Sequence, residues 1–528
     1  MKLKQSELSC VCWTAAGIAL PAFDMPAVAQ KTAAEPTWIH FGPGNIFRAF
    51  PAAVQQDLLG RSVTDTGIIV AEGYDYEIVD KLFVPCDNLS LLVTLKSDGL
   101  VEKSVIGSVT EALRVDRSNA ADFARLQEIF RAPSLQMVSF TITEKGYSLS
   151  APGVAADMDR GPAASESYMG KLAALVYERY LADSLPVALV SMDNCSHNGD
   201  KLRDAVQAFG DAWSEKGLCE SGFAAYLRNP ALVAFPWSMI DKITPRPDDM
   251  VKDMLLADGF EDTEGTVTSK NTFIAPFVNA EKTQWLVIED SFPNGRPPLE
   301  AGGVIFTDRE TVDKVEKMKV CTCLNPLHTA LAVFGCLLGY EKISDEMQDA
   351  DLVKLVRQIG YVEGLPVVVN PGIIDPKVFI DNAVDVRLPN PFIPDTPQRI
   401  ACDTSQKLSI RFGETIKAYA ASSDLDVTAL KAIPLVLAGW LRYLMGVNDA
   451  GETFELSPDP ALESLRAPFA ALKLGVAGDF RSVVAPVLAD SKYFGVNLYE
   501  VGLGEQVEVL FSALAAGAGA VRATLKAL

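Results

Sequence analysis

Apolar and polar positions alternate along this chain in two regimes. Up to about residue 300, short apolar runs of strand length alternate with amphipathic stretches of helical period; beyond about 309, helical periodicity dominates. The first unit opens with "TWIHFGPGNIFRAFPAAVQQDLLG": a short strand, the Gly42-Pro43-Gly44 turn, then apolar positions Ile46, Phe47, Ala49, Phe50, Val54, Leu58 and Leu59 at helical spacing. A second strand, "TGIIVAEG", ends near Glu72. "NLSLLVTLKSDGLVEKSVIGSVTEAL" predicts a β-hairpin turning at Asp98-Gly99. Helices are predicted at "ADFARLQEIFRA" and "SYMGKLAALVYERYLAD". Each leads into a near-continuous apolar run, "LQMVSF" and "PVALVSM", as expected of strands covered on both faces. The fold class is therefore α/β: a Rossmann-type amino-terminal domain with a hairpin insertion, then a mostly α-helical carboxy-terminal domain. The Pro- and Gly-rich segment 293–303 sets the expected boundary, giving domains 1–300 and 301–528.

Strand, glycine turn, helix, strand and acid is the order that opens a dinucleotide-binding fold. Glycines let the backbone approach a pyrophosphate, and a helix amino terminus offers unpaired N–H groups to it. A carboxylate at the end of the second strand can bind adenosine-ribose hydroxyls and would repel a 2′-phosphate, which favours NAD. Two features depart from the usual fingerprint. Phe47 replaces the third glycine, and Gly44 lies further from Glu72 than the usual ~20 residues.

At 528 residues the chain is too long for one compact core. The net charge of −21 makes nucleic acid an unlikely partner, because phosphate-backbone binding depends on excess Lys and Arg. With three histidines, a His-rich metal site is close to excluded, and no metal is expected. Nine scattered cysteines without a CxxC framework suit reduced thiols and a cytoplasmic setting. The first thirty residues imitate a signal peptide, but Glu7, Pro21 and Asp24 interrupt the pattern, so a folded segment is expected. No run of roughly 18 uninterrupted apolar residues predicts a membrane span.

"KVCTCLNPLHTALAVFG", residues 319–335, gathers a lysine, an asparagine and a histidine before an apolar helix. Pro326 suits the first helical position and Asn325 the N-cap. A lysine suits proton transfer when burial and positive neighbours lower its pKa. On local features alone, a capped structural helix with a surface lysine is the favoured reading of the stretch.

Five motifs in order, "HFGPGNIFRAF", "SMDNCSHNG", "FPWSMIDKITP", "QWLVIEDSFPNGRPPLEAGGV" and "LNPLHTALAVFGCLLGY", together with the late "SKYFGVNLYEVGL", resemble the polyol-specific long-chain dehydrogenase family over roughly residues 38–500. The resemblance implies a metal-independent, NAD(P)-linked oxidation of a secondary alcohol in a small-molecule sugar acid or polyol, with Glu72 favouring NAD. It assigns the acid/base role to Lys319, with Lys317 as fallback. Asn194 and Asn325 would hold the substrate oxygen, with His328 beside them. Asp241 would bind substrate, and Arg399 and Lys407 its far end. Gly42, Gly44, Phe47, Arg48 and Glu72 fall at the cofactor end, and His197 has a structural reading. The family's usual Asn-Gly-x-His is Asn325-Pro326-Leu327-His328 here, and Lys319 precedes Asn325 by six residues where five is commoner. The opening motif lies nearer the uronate reductases, so interconversion of D-mannonate and D-fructuronate is the leading expectation. Mannitol or altronate chemistry of the same family is the alternative, and a nucleotide-binding sensor without catalysis is the reading from another class.

Overall fold

The computed structural model describes residues 1–247, 249–476 and 480–528. The chain divides into two compact units, residues 1–96 with 100–313, and residues 97–99 with 314–528. The division falls after Asp313 because the strand Ile305–Thr307 pairs in parallel with Trp285–Glu289 and so stays with the first unit.

The first unit is built on a six-stranded parallel sheet of β1 (Trp38–Phe41), β2 (Ile68–Glu72), β3 (Val109–Arg114), β4 (Met137–Phe140), β5 (Val187–Ser191) and β6 (Val233–Ala234), in the order β3-β2-β1-β4-β5-β6. This is the Rossmann order, which reverses between β1 and β4. Successive side chains of a strand point to opposite faces, so each face needs its own apolar cover. Ile39, Phe41, Ile69, Val138, Phe140 and Leu189 pack on one side with Phe123, Leu172, Leu202 and Phe209 of three helices, Ala120–Arg131, Tyr168–Leu181 and Asn198–Glu215. Trp38, Ile68, Val70, Met137 and Val190 pack on the other side with Phe47, Val54 and Leu58 and with Leu92, Ile106 and Val278.

Those last three residues belong to a second sheet. The predicted hairpin forms, with Ser90–Leu95 antiparallel to Val101–Ile106. Phe277–Glu281 extends it in parallel on one side and the two-residue strand Ile18–Ala19 on the other. The helix after β1 is broken at Phe50 (φ −130°), giving Asn45–Ala49 and Pro51–Gly60. Proline lacks the N–H that would continue the ladder. The amino-terminal segment is folded into this unit, with Leu3, Trp13 and Ile18 buried. Cys10 and Cys12 are joined in a disulfide, which corrects the expectation that all thiols are reduced; the other seven cysteines are free. The pair is two residues apart, so the link closes only a local turn.

The second unit is helical, as expected. Four of its turns are π-helical: Lys319–Cys323, Gln358–Gly364, Ala383–Arg387 and Ser409–Gly413. The run 309–338 is apolar and long enough to cross a membrane on composition alone, but most of it is buried inside the protein, as suits a core helix. The helix Ala432–Tyr443 is buried along its whole length. Its amino terminus is held by the buried carboxylate of Glu363, which accepts from the N–H groups of Lys431, Ala432 and Ile433 at 2.8–2.9 Å.

Candidate active site

In the first unit the candidate site lies at the carboxyl ends of β1 and β4, where the strand order reverses. Gly42 ends β1 with φ +84°, and a Cβ there would stand 2.5 Å from the Thr141 carbonyl oxygen. Only glycine fits that approach. Gly44 precedes the helix that starts at Asn45, and a Cβ on it would meet nothing within 4 Å. Its backbone therefore faces open space. Phe47 and Arg48, expected at the cofactor, turn inward. Phe47 is buried and stacks on His40 with ring centroids 4.0 Å apart. Arg48 donates to the Ala275 carbonyl (2.8 Å) and to Asn45 Oδ1 (3.0 Å), and burial lowers its pKa to about 10. Their side chains shape the glycine turn from beneath and offer nothing to a ligand, because the apolar interior claims that face of the helix. His40 bridges the hydroxyls of Ser139 (2.7 Å) and Thr141 (2.9 Å). Burial lowers its pKa to about 3, so it stays uncharged.

Glu72 ends β2 and is buried. Its Oε1 accepts from the backbone N–H groups of Tyr74 (2.7 Å) and Asp75 (2.9 Å). Burial raises its pKa, and those amides oppose the shift. A turn only glycine can form, open space before Gly44 and a carboxylate fixed at the end of β2 together fit a dinucleotide. Gly42, Gly44 and Glu72 are the residues of this unit that could hold it.

Asn194 is exposed on the loop after β5. Its neighbours, which sequence reasoning missed, fix that loop. Asp193 is buried, and its carboxylate accepts from the N–H groups of Thr143 (2.7 Å) and Ile142 (3.1 Å) and from the Tyr147 hydroxyl (2.5 Å). Asn198 donates to the carbonyls of Asp193 (2.9 Å) and Ser238 (3.0 Å), and accepts from the Ser238 N–H at 3.0 Å. Asp193 thus ties the loop after β5 to the loop after β4. Asn198 ties it to the strand Ser238–Asp241, whose last residue is the buried Asp241. Asn194 and Asp241 therefore stand on one hydrogen-bonded scaffold. His197 takes a left-handed conformation (φ 51°) and stacks on Trp237 at 4.1 Å, a structural role.

In the second unit, Lys319 opens the π turn and is 4% exposed, whereas Lys317 is exposed. The Leu324 N–H donates to the Lys319 carbonyl (3.1 Å) and the His328 N–H to the Leu324 carbonyl (3.1 Å), so the turn runs directly into the next helix. That helix spans Asn325–Leu338 with Leu324 at the N-cap. Asn325 is its first residue and not its cap, a correction of one position. Among the described residues its side-chain amide has no hydrogen-bond partner, which leaves it available to a ligand. His328 Nε2 lies 3.2 Å from Asp395 Oδ2, out of line for a hydrogen bond. The other Asp395 oxygen accepts from Arg399. Burial pushes the Asp395 carboxyl up, but His328 and Arg399 outweigh it and hold the pKa below the ordinary 3.8. Lys407 donates to the carbonyls of Ile400 (3.3 Å) and Cys402, closing the end of the helix Pro397–Ile400. Burial, with Arg411 nearby, lowers its pKa.

A parallel nucleotide-type sheet, followed by a helical unit carrying a buried lysine, an uncommitted asparagine and a carboxylate-paired histidine, defines a dehydrogenase of the long-chain polyol class. The family model described as the mannitol dehydrogenase Rossmann domain matches residues 36–301, and that described as the mannitol dehydrogenase C-terminal domain matches residues 311–509. The chain belongs to the mannitol dehydrogenase family. It is 55% identical over 522 residues to the D-mannonate oxidoreductase of Thermotoga maritima, covering 97% of this chain and 96% of that one. It is 31% identical to the mannitol 2-dehydrogenase of Neosartorya fischeri, over 88% of this chain and 89% of that one. Among solved structures it is similar to a D-sorbitol dehydrogenase in substrate-free form (TM-score 0.81, 25% identity, 99% of this chain and 100% of that one). It is also similar to the Pseudomonas fluorescens mannitol 2-dehydrogenase in ternary complex with NAD and D-mannitol (TM-score 0.71, 26% identity, 100% of this chain and 99% of that one).

Proposed function

We propose that the protein is an NAD-linked oxidoreductase that interconverts D-mannonate and D-fructuronate. The observation that carries this reading is the 55% identity to a D-mannonate oxidoreductase across nearly the whole of both chains, against 31% to a mannitol 2-dehydrogenase. Bound NAD supplies the acceptor for hydride from the substrate carbon. The chain supplies binding, orientation and proton transfer. In the first unit, Gly42, Gly44 and Glu72 hold the cofactor, and Asn194 and Asp241 bind substrate. In the second, Lys319 takes the hydroxyl proton as hydride leaves, and returns it in the reverse reaction. The burial of Lys319 and the exposure of Lys317 support that choice, since a proton-transfer group must meet a substrate shielded from bulk water. The Asn325 amide is uncommitted among the described residues and suited to holding the reacting oxygen, and His328, one helical turn on with its Nε2 turned to Asp395, stands beside it. No step requires a metal ion. Seven free thiols suit a cytoplasmic setting.

The test is a substrate panel of D-mannonate, D-altronate, D-mannitol and D-sorbitol with NAD, read by nicotinamide absorbance. The highest kcat/KM is expected on D-mannonate, and Lys319→Ala should lower turnover by at least ~100-fold while NADH binding is retained. A preference for D-mannitol over D-mannonate would overturn the substrate, and undiminished turnover in the Lys319 variant would remove that lysine from its role.

A further inference from the structure

Among the described residues burial lowers the pKa of five arginines, and four are accounted for. Arg117 donates to the carbonyls of Ser165 and Pro162. Arg179 donates to the carbonyls of Phe130, Ala132, Leu135 and Pro186. Arg442 donates to those of Leu514, Val447 and Asn448. Arg48 donates to Ala275 and Asn45. The fifth, Arg411, makes one hydrogen bond among the described residues, to the Thr329 hydroxyl, and no ion pair. A guanidinium carries five N–H donors. None of the remaining Arg411 nitrogens is a sealed, unpaired buried atom, so they face accessible space.

The position of Arg411 is informative. It lies on the π turn Ser409–Gly413, which packs against the π turn opened by Lys319. Thr329, its anchor, donates to the Asn325 carbonyl at 3.0 Å, one turn further along the same helix face and next to His328. The family resemblance assigns the substrate's far end to Arg399, but that side chain is 61% exposed and its charge is already paired with Asp395. Lys407 has two of its donors on carbonyls. Of these three described cations, Arg411 is the one that is shielded and still has most of its donors unused.

We propose that Arg411 receives the carboxylate of the sugar-acid substrate and sets the preference for an acid over a neutral polyol. Two parallel N–H donors of the guanidinium meet the two carboxylate oxygens, the geometry in which arginine is strongest, while Thr329 fixes the plane of the fork. Burial lowers the Arg411 pKa to about 10, leaving it charged at neutral pH. Lys407 adds positive potential beside it. The inference rests on the sugar-acid reading above and names the residue that enforces it.

The test compares kcat/KM for D-mannonate and for its neutral amide, D-mannonamide, in the wild type, Arg411→Met and Arg411→Lys. A lost charged hydrogen bond predicts an about 10- to 150-fold fall on D-mannonate in the Met variant. D-mannonamide should fall far less, so that the ratio of the two collapses. The Lys variant, which keeps the charge without the fork, should lie between and carries the test if the Met variant does not fold. Equal falls on both substrates would overturn the inference while leaving the sugar-acid reading intact. A wild type with no preference for D-mannonate over D-mannonamide would overturn both.

Discussion

His328 and Asp395 are 67 residues apart in sequence, yet Nε2 and Oδ2 lie 3.2 Å apart, with Arg399 on the far oxygen of the same carboxylate. The carboxylate lies between the imidazole and the guanidinium and fixes the position of the ring. Asp395→Asn should lower kcat/KM by about 10- to 100-fold through a misplaced imidazole. The folded pKa of Asp395 lies below its ordinary 3.8. Its pairing therefore stabilises the fold above about pH 4 and is lost as pH falls through the folded value. The melting-temperature gap between wild type and variant should be full at neutral pH and narrow below about pH 4.

Asn198 holds the loop of Asn194 to the strand of Asp241. Asn198→Ala would leave the Asp193 carbonyl and the Ser238 N–H without their partner, at about 1–3 kcal/mol for each buried group. Urea melting should show the loss of stability, and KM for the sugar substrate should rise. An Asn198→Asp variant restores an acceptor for Ser238 but no donor for Asp193, and should recover part of the stability only.

Gly42→Ala tests the cofactor turn. The added Cβ meets the Thr141 oxygen at 2.5 Å on a left-handed backbone, so the turn must open. NADH affinity, read by fluorescence titration, should fall more than melting temperature does. Gly44→Ala, with open space around its Cβ position, should fold normally and weaken the cofactor by occupying its approach.

Glu346 is fully buried with neither oxygen hydrogen-bonded, and burial raises its pKa to about 10. Between the ordinary 4.5 and that value the folded protein holds a proton that the unfolded chain has released. Stability attributable to this group therefore falls as pH rises, by up to about 1.4 kcal/mol per pH unit. Glu346→Gln should be more stable than the wild type at pH 8, with the difference shrinking toward pH 4.5, as read by melting temperature against pH.

The sheet was legible because β1, β2, β4 and β5 are short continuous apolar runs separated by helices, and only a doubly covered parallel sheet needs that pattern. Asp98-Gly99 marked the hairpin by its turn chemistry. Asn-Pro before an apolar run pointed to a cap at Asn325, but the helix begins one residue earlier. The preceding π turn carries the chain straight on, and no local signal distinguishes a π turn from an α turn. Phe47 and Arg48 lie in the right motif, yet which face of their helix the interior claims depends on Phe277–Glu281, some 230 residues away. Asp193, Asn198, Asp395 and Arg411 were missed for the same reason: each acts through a partner placed by the fold and not by spacing.

The short pairing of Ile18–Ala19 with Lys103 and Ser104 has a practical corollary. The first 35 residues, with Trp13 sunk into the body, act as a guard rail along the hairpin's outer border. Trimming them to obtain a shorter protein would bare the edge that Ile18–Ala19 covers at Lys103 and Ser104, an invitation to intermolecular strand addition. A chain so shortened should come out of expression as clumped material even with every substrate-binding group intact.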